Sequence, residues 1–369
     1  MEVQQIMFQW YLFVLIFAVG LFANMTRQTY TVNSYGQREQ RYGWLPVLAI
    51  LLPLIYLAGT RGDMRFGDTS AYRAGFHDLP SSLNGVSGYF TDTSKDKGFT
   101  VFSVIIKSII GNRDVLYFLV IAAICLTCVF YVYKKYSCNF IMTVFLFVAS
   151  ADYLQWTYNG IRQFLAVSLI FACTGLLLKE KYIPIIVIIL LASTIHASAL
   201  IMLPIVFIVQ GKPFNKRTVL FLFAMLMAIA FIDQFTDIIT NIMENTQYSG
   251  EVDQFLNAEG TSIQRVLVYS IPAFIALLFR KRIEMADNQL INMASNMSIA
   301  TFGIMFLSAF SNGLFLGRLG IYTSLINYIL LPWEIENIFT KSSARLIYVI
   351  MIVCYLVFYY YQVVITWGI

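Results

Sequence analysis

The sequence predicts an all-α, polytopic integral membrane protein with about twelve transmembrane helices. Three observations carry this expectation. Of 369 residues, 59% are hydrophobic and only 12% charged, with a mean hydropathy of +0.71; a soluble domain carries about 25% charged residues. Apolar runs long enough to cross a bilayer recur from end to end. Basic residues gather between those runs, where they set topology. The net charge of +5 is therefore not a nucleic-acid signature, and no nucleic-acid partner is expected. The polar stretches at 59–98 and 233–264 leave no room for a sizeable soluble domain. The chain reads as a single transmembrane domain, 1–369, with an outer loop and interfacial helix at 60–113 and an acidic outer loop at 233–262.

In order, the candidate spans are 6–24, 44–59, 115–133, 139–152, 161–178, 182–195, 197–210, 218–235, 263–279, 289–310, 318–338 and 346–366. The first follows Glu2 without a basic segment before it, so it reads as a permanent span rather than a cleaved signal peptide. Alternate loops carry the basic clusters: Arg27, Arg38 and Arg41; Lys134 and Lys135; Lys179 and Lys181; Lys212, Lys216 and Arg217; Arg280, Lys281 and Arg282; Lys341 and Arg345. One orientation makes all of them cytoplasmic and puts both termini outside. The opposite side keeps Arg61, Arg65, Arg73, Lys95, Lys97, Arg113, Arg162, Arg265 and Arg318, which topology does not explain.

Three segments depart from simple crossings. Residues 99–110 are too few to span. Thr100, Ser103 and Lys107 share one side, which predicts an amphipathic helix in the outer interface; a re-entrant segment is the alternative. Basic clusters flank 181–217 at both ends, so an even number of crossings lies between them. Two short helices joined near His196 satisfy this, with Pro184 in the first turn of one and Pro204 kinking the other. Such a turn lies below the outer surface, at the floor of a cavity. Residues 233–264 hold six acidic residues, Asp233, Asp237, Glu244, Glu251, Asp253 and Glu259, before Gln264 and no basic one. This reads as a partly helical loop, either solvated or acting as a lid or acceptor-sugar surface.

Candidate chemistry collects on the outer side. Residues 59–76 read GTRGDMRFGDTSAYRAGF. The glycines permit close approach and the arginines suit phosphate, although a hydrated loop with internal Arg–Asp pairs fits the same residues. Arg162 opens a helix behind Trp156, Tyr158 and Asn159, and Arg318 also leads from outside into a helix. A positive charge at a helix N-terminus is disfavoured and wants an external anion. Counting residues inward from Arg162 and back out to His196 returns the histidine to Arg162's side, about a turn deeper. A histidine of pKa near 6.5 can act as a general base at neutral pH; the alternative is a histidine bonded to a neighbouring backbone. His77 lies in an outer loop and reads as incidental. The five cysteines include a CxxC at Cys125 and Cys128, but inside an apolar run, where packing is the better reading. No metal motif, P-loop or nucleophile elbow is present in the sequence, so no metal or cofactor is expected.

These residues resemble the EpsG family of Wzy-type exopolysaccharide and O-antigen polymerases. The resemblance rests on Arg61, Gly67, Asp68, Thr69, Tyr72 and Phe76, and on Asn159-Gly160-Ile161-Arg162-Gln163 followed by His196-Ala197-Ser198-Ala199-Leu200 and Pro204. Looser similarity in hydropathy covers most of the chain. Met64, Arg65 and Phe66 precede Gly67 where the family often has a longer glycine-rich run. The resemblance implies a metal-independent, GT-C-like glycosyltransferase in a bacterial cell (inner) membrane, with its active site facing outside. Its substrates would be undecaprenyl-pyrophosphate-linked oligosaccharides. A growing glycan would move onto a sugar hydroxyl of a new lipid-linked repeat unit, with a flippase and a chain-length regulator as further partners beside the lipid bilayer. His196 would be the base, and Arg162, Arg318, Arg61 and Arg65 would hold the leaving pyrophosphate. Asp68, Tyr72, Asn159 and Gln163 would position substrate. The rivals are a lipid-linked glycan flippase or secondary transporter, an O-antigen ligase, and an integral-membrane acyltransferase. The first fits broken helices near His196, but the charges gather on one face rather than at the midplane.

Overall fold

The computed structural model describes residues 2–25, 29–32, 38–62, 67–90, 95–246 and 248–368. Helices make up nearly all of it, with one short antiparallel ladder pairing Thr29–Val32 with Arg38–Arg41. Among the described residues, three helices are long and apolar enough to cross a membrane: Asp114–Tyr136, Gln289–Phe310 and Lys341–Thr366. Counting each sharply bent helix pair as one span raises this to six. Five further apolar helices run 10–17 residues, among them Trp44–Gly59 and Ile161–Ala172. The all-helical, membrane-protein character is plain. The expected spans at 139–152, 161–178 and 318–338 are each broken helices rather than straight rods.

The chain divides into two compact units. Unit 1 holds 1–89, 99–172 and 335–369; unit 2 holds 90–98 and 173–334.

In unit 1 the helix Trp44–Gly59 packs on Asp114–Tyr136, which in turn packs on Ile161–Ala172. Gly59 permits the first contact, because a Cβ there would lie 2.8 Å from the Cα of Leu119. Phe140–Ala149 and Asp152–Tyr158 meet at a 62° bend. The break falls at Ala151, whose φ of 65° is left-handed and cannot continue a helix. Trp156 Nε1 donates to Asp152 Oδ1 inside the second, short helix.

The helix Lys97–Ile110 differs from its expected form. Two of its polar residues, Ser103 and Lys107, are buried. Ser103 bonds the Tyr117 hydroxyl at 2.9 Å, and Lys107, 4% exposed, turns inward. The Lys107 ammonium donates to the carbonyls of Phe76, His77 and Leu79 at 2.9, 2.7 and 2.7 Å. These carbonyls lie at the C-terminal end of the helix Thr69–Asp78, where a cation is favoured. Ile109, by contrast, is 78% exposed. Ser103 and Lys107 thus face protein together with Phe99, Val104 and Ile106, and Ile105, Ser108 and Ile109 are exposed. Replacing Lys107 with methionine keeps the stem but removes three charge-assisted hydrogen bonds to carbonyls at that helix end; we expect a loss of about 3 kcal/mol, read as a lowered thermal midpoint.

In unit 2 the buried helix Gln289–Phe310 is the hub, packed by Lys216–Ala230 and Ile263–Leu278. Asn296 on it donates to the carbonyls of Val209 and Lys212 and accepts from Phe214 N–H. Residues 182–208 form the expected hairpin. Tyr182–Ile195 runs to His196, then a 3-10 turn, Ala197–Ile201, passes into Met202–Ile208. Tyr182 and Phe207 stack at 4.9 Å, closing the far ends of the two arms. The first arm's 14 residues give about 21 Å, short of the ~30 Å hydrocarbon core. Pro184 stands in the first turn of its helix, as expected. Pro204 does not kink a long helix; it stands in the first turn of Met202–Ile208, just after the 3-10 segment ends. The acidic segment is largely helical, Ile232–Glu244 and Val252–Asn257, and bends 99° away from Lys216–Ala230.

Candidate functional site

In unit 1 the GDTxxY segment docks on the turn that opens the Arg162 helix. Asp68 N–H donates to the Tyr158 carbonyl at 3.3 Å. Gly67 makes this possible: its φ is 88°, and a Cβ would lie 2.6 Å from the Tyr158 oxygen. Gly67→Ala is expected to cost about 1–3 kcal/mol at this turn and to detach the loop, read as faster proteolysis of 60–80 in the intact protein. From Asp68 the chain enters the helix Thr69–Asp78, which presents the Tyr72 ring 5.7 Å from the Arg162 guanidinium. Arg162 is half-buried in the first turn of Ile161–Ala172, directly after Gly160 at φ 75°. The Asp68 carboxylate is exposed and makes no capping bond. Gln163 is buried, and Asn159 caps the end of Asp152–Tyr158 with extended backbone. Arg162, Tyr72, Asp68, Asn159 and Gln163 thus belong to one small locale.

Arg61 lies against the same turn, over the Tyr158 ring, but is closed in by protein. The expectation that it holds pyrophosphate meets a side chain that is 3% exposed. Its Nη1 donates to the carbonyl of Ala58 at 3.0 Å and to that of Thr157. Its guanidinium lies 4.0 Å from the Phe118 ring centroid and 5.4 Å from that of Tyr158. Both carbonyls close helices, so two negative helix ends and two aromatic faces surround the cation. Burial pulls the guanidinium down to about 10, still charged at neutral pH. The cavity beside it, lined with Cys125, Trp156 and Phe164, is about 10 Å³, space for one water and far too small for pyrophosphate. The five cysteines are free thiols, and Cys125 is packing for this wall. Arg65 lies outside the described residues.

In unit 2, His196 ends one helix and caps the next turn with φ −153°, ψ 117°. Its Nδ1 is 2.7 Å from Ser198 Oγ, which is 3.0 Å from the hydroxyl of the buried Tyr322. Arg318 precedes Tyr322 by four residues. The short helices Leu316–Leu319 and Ile321–Ser324 join through Gly320 at φ −56°, ψ −26°, so the helical turn continues. The acidic segment holds the turn leading to Arg318. Gly313 N–H donates to the Glu259 carbonyl, Asn312 Nδ2 to that of Phe255, and Thr261 Oγ1 meets Ser308 Oγ at 2.7 Å.

The EpsG family model matches residues 44–367, nearly the whole chain and both units. The chain belongs to the EpsG family. This is a family of exopolysaccharide and Wzy-like polymerases, and membership associates the chain with polysaccharide synthesis in a membrane and with glycosyltransferase activity. No curated protein and no solved structure matches it. The resemblance seen in the sequence is therefore the family itself.

Three residues of this EpsG member had no role in the sequence reading. Ser198 stood within the HASAL motif, and its spacing from His196 is the one signal that could have found it. Tyr322 carried only its four-residue spacing from Arg318. Asp96, buried in unit 2 with backbone φ of 50°, carried none.

Proposed function

We propose that this EpsG member is a polysaccharide polymerase that moves a glycan from its lipid pyrophosphate onto a sugar hydroxyl of a new lipid-linked repeat unit, at the outer face of a bacterial cell membrane. The observation that supports it best is a histidine bonded to Ser198, which is itself bonded to Tyr322, with Arg318 four residues before that tyrosine, in a member of this family. The acceptor hydroxyl gives its proton to His196 Nε2 as its oxygen attacks the anomeric carbon. The old glycosidic C–O bond breaks, and the pyrophosphate leaves on its lipid with both electrons. Arg318 offsets that growing charge. Arg162, with Tyr72, Asp68, Asn159 and Gln163, gives unit 1 a second cationic platform for a lipid-linked substrate. Arg61 has a framework role in this account. The leaving group is already activated, so no nucleotide is required. A GT-C-like arrangement of about twelve crossings, undecaprenyl as the lipid, and a flippase and chain-length regulator as partners belong to the same proposal.

The three bent helix pairs are what a flippase or transporter reading would use. A deletion strain separates the two. Loss of a polymerase leaves single lipid-linked repeat units on the outer leaflet, whereas loss of a flippase leaves them on the inner one. Single units transferred to the final acceptor, with no polymer, separate a polymerase from an O-antigen ligase.

A further inference from the structure

The helix Ile232–Glu244 in unit 2 has three sides, where a helix on a water-soluble surface has two. Ile232, Ile239 and Met243 turn towards protein, half-buried or buried. Asp233, Asp237, Asn241 and Glu244 form an exposed polar side. On the third side Ile238 and Ile242, one turn apart, are 58% and 55% exposed, and Phe231 just ahead of the helix is exposed too. Water suits the acidic side but not the isoleucines, so the helix belongs where water and hydrocarbon meet.

Its place in the chain gives the same answer. It follows Lys216–Ala230, on which Val219, Leu220, Phe223, Leu226 and Met227 are exposed and form a lipid-facing surface. The 99° bend then turns Ile232–Glu244 from the direction of that span into the plane of the bilayer. Lys216 and Arg217 hold the far end of the span at the headgroups, which makes the bend its outer end. The span's 15 residues rise about 22 Å against a hydrocarbon core of ~30 Å, so the bend falls about 8 Å below the outer boundary. Interfacial helices sink their apolar side about 5–10 Å.

The same helix is tied to the Arg318 turn. It packs on Ser249–Glu251 and Val252–Asn257. The Phe255 ring meets that of Phe315 at 5.8 Å, and the Phe255 carbonyl accepts from Asn312 Nδ2. The Glu259 carbonyl accepts from Gly313 N–H at 2.9 Å. Gly317 lies so close to Thr261 that a Cβ would be 2.6 Å from its Oγ1. These contacts hold 312–317, which runs directly into Arg318. We propose that Ile232–Glu244 is an interfacial helix, seated in the outer leaflet on Ile238 and Ile242, that sets the depth of the Arg318 turn. The seat is independent of the polymerase reading; the use of that depth, to meet a lipid pyrophosphate at the headgroups, rests on it. The helix carries no basic residue, so apolar area holds it and zwitterionic lipid suffices.

The test places the photocrosslinker p-benzoylphenylalanine singly at Phe223, Ile238, Ile242 and Asp237 of the full chain in phosphatidylcholine liposomes. Phe223, in the span, is the positive control. We expect phospholipid adducts at Ile238 and Ile242 at the Phe223 level, read by mass spectrometry, and about tenfold less at Asp237. No lipid adduct at either isoleucine while Phe223 gives one, or a crosslink there to a second copy of the chain, overturns the proposal. Ile238→Asp combined with Ile242→Asp should keep the native thermal midpoint in detergent and lower kcat/KM for lipid-linked repeat units in liposomes about 100-fold, by displacing Arg318. A lowered midpoint would place the isoleucines against protein, and a native kcat/KM would remove the link to Arg318; either overturns the proposal. Lipid adducts as expected with no polymerisation by the native chain remove the polymerase reading alone.

Discussion

His196→Ala leaves a folded membrane protein that yields single repeat units in place of polymer. A general base contributes about 10²–10⁴ in rate, enough to abolish visible chain extension. The backbone at His196 is fixed by its N–H bond to the Ala192 carbonyl, which alanine keeps, so the hairpin survives. Arg162→Ala is expected to match it in product and to fall by about 10²–10³, the loss seen when one charge-stabilising donor is removed. Gel analysis of surface glycan, beside thermal unfolding of the purified variants, reads both effects. Native-length polymer from His196→Ala removes histidine as the base. If Asp68→Asn then abolishes polymer, the base is the exposed carboxylate of the unit 1 loop.

Arg61→Ala has the opposite signature, with stability failing first. The variant loses two aromatic contacts to a desolvated cation and strands the buried carbonyls of Ala58 and Thr157. The expected cost is about 4 kcal/mol. Arg61→Lys recovers only part of it, because one ammonium cannot reproduce a planar group stacked over Phe118 while bonding two helix ends. The thermal midpoint falls in both, and any folded Arg61→Lys protein keeps its KM for lipid-linked substrate. An unchanged midpoint with a raised KM would return Arg61 to the pyrophosphate ligands.

Much of the fold was legible because hydrocarbon imposes simple rules. Trp44–Gly59 and Gln289–Phe310 have the expected limits, and the hairpin around His196 followed from basic clusters at 181 and 212–217. The breaks were less legible. Ala151 in a left-handed conformation and the interruption at 325–326 have no proline or glycine beside them to place the break. The helix Lys97–Ile110 was found, but Ser103 and Lys107 turn inward, since periodicity shows that two faces differ and not which one meets protein. Arg61 and Arg162 look alike in sequence. One is closed in by Phe118, Tyr158 and two helix ends while the other stays half-buried, a distinction made by tertiary packing alone. Ser198 and Tyr322 come together from two distant segments, which local spacing does not reveal.

The most direct test of the polymerase assignment uses the purified chain in liposomes, supplied with one lipid-pyrophosphate-linked repeat unit and no nucleotide, metal or second protein. The account predicts a ladder of glycans on lipid pyrophosphate, with one free lipid pyrophosphate released per bond and no ladder from His196→Ala. Repeat units that cross the bilayer but never lengthen would contradict it.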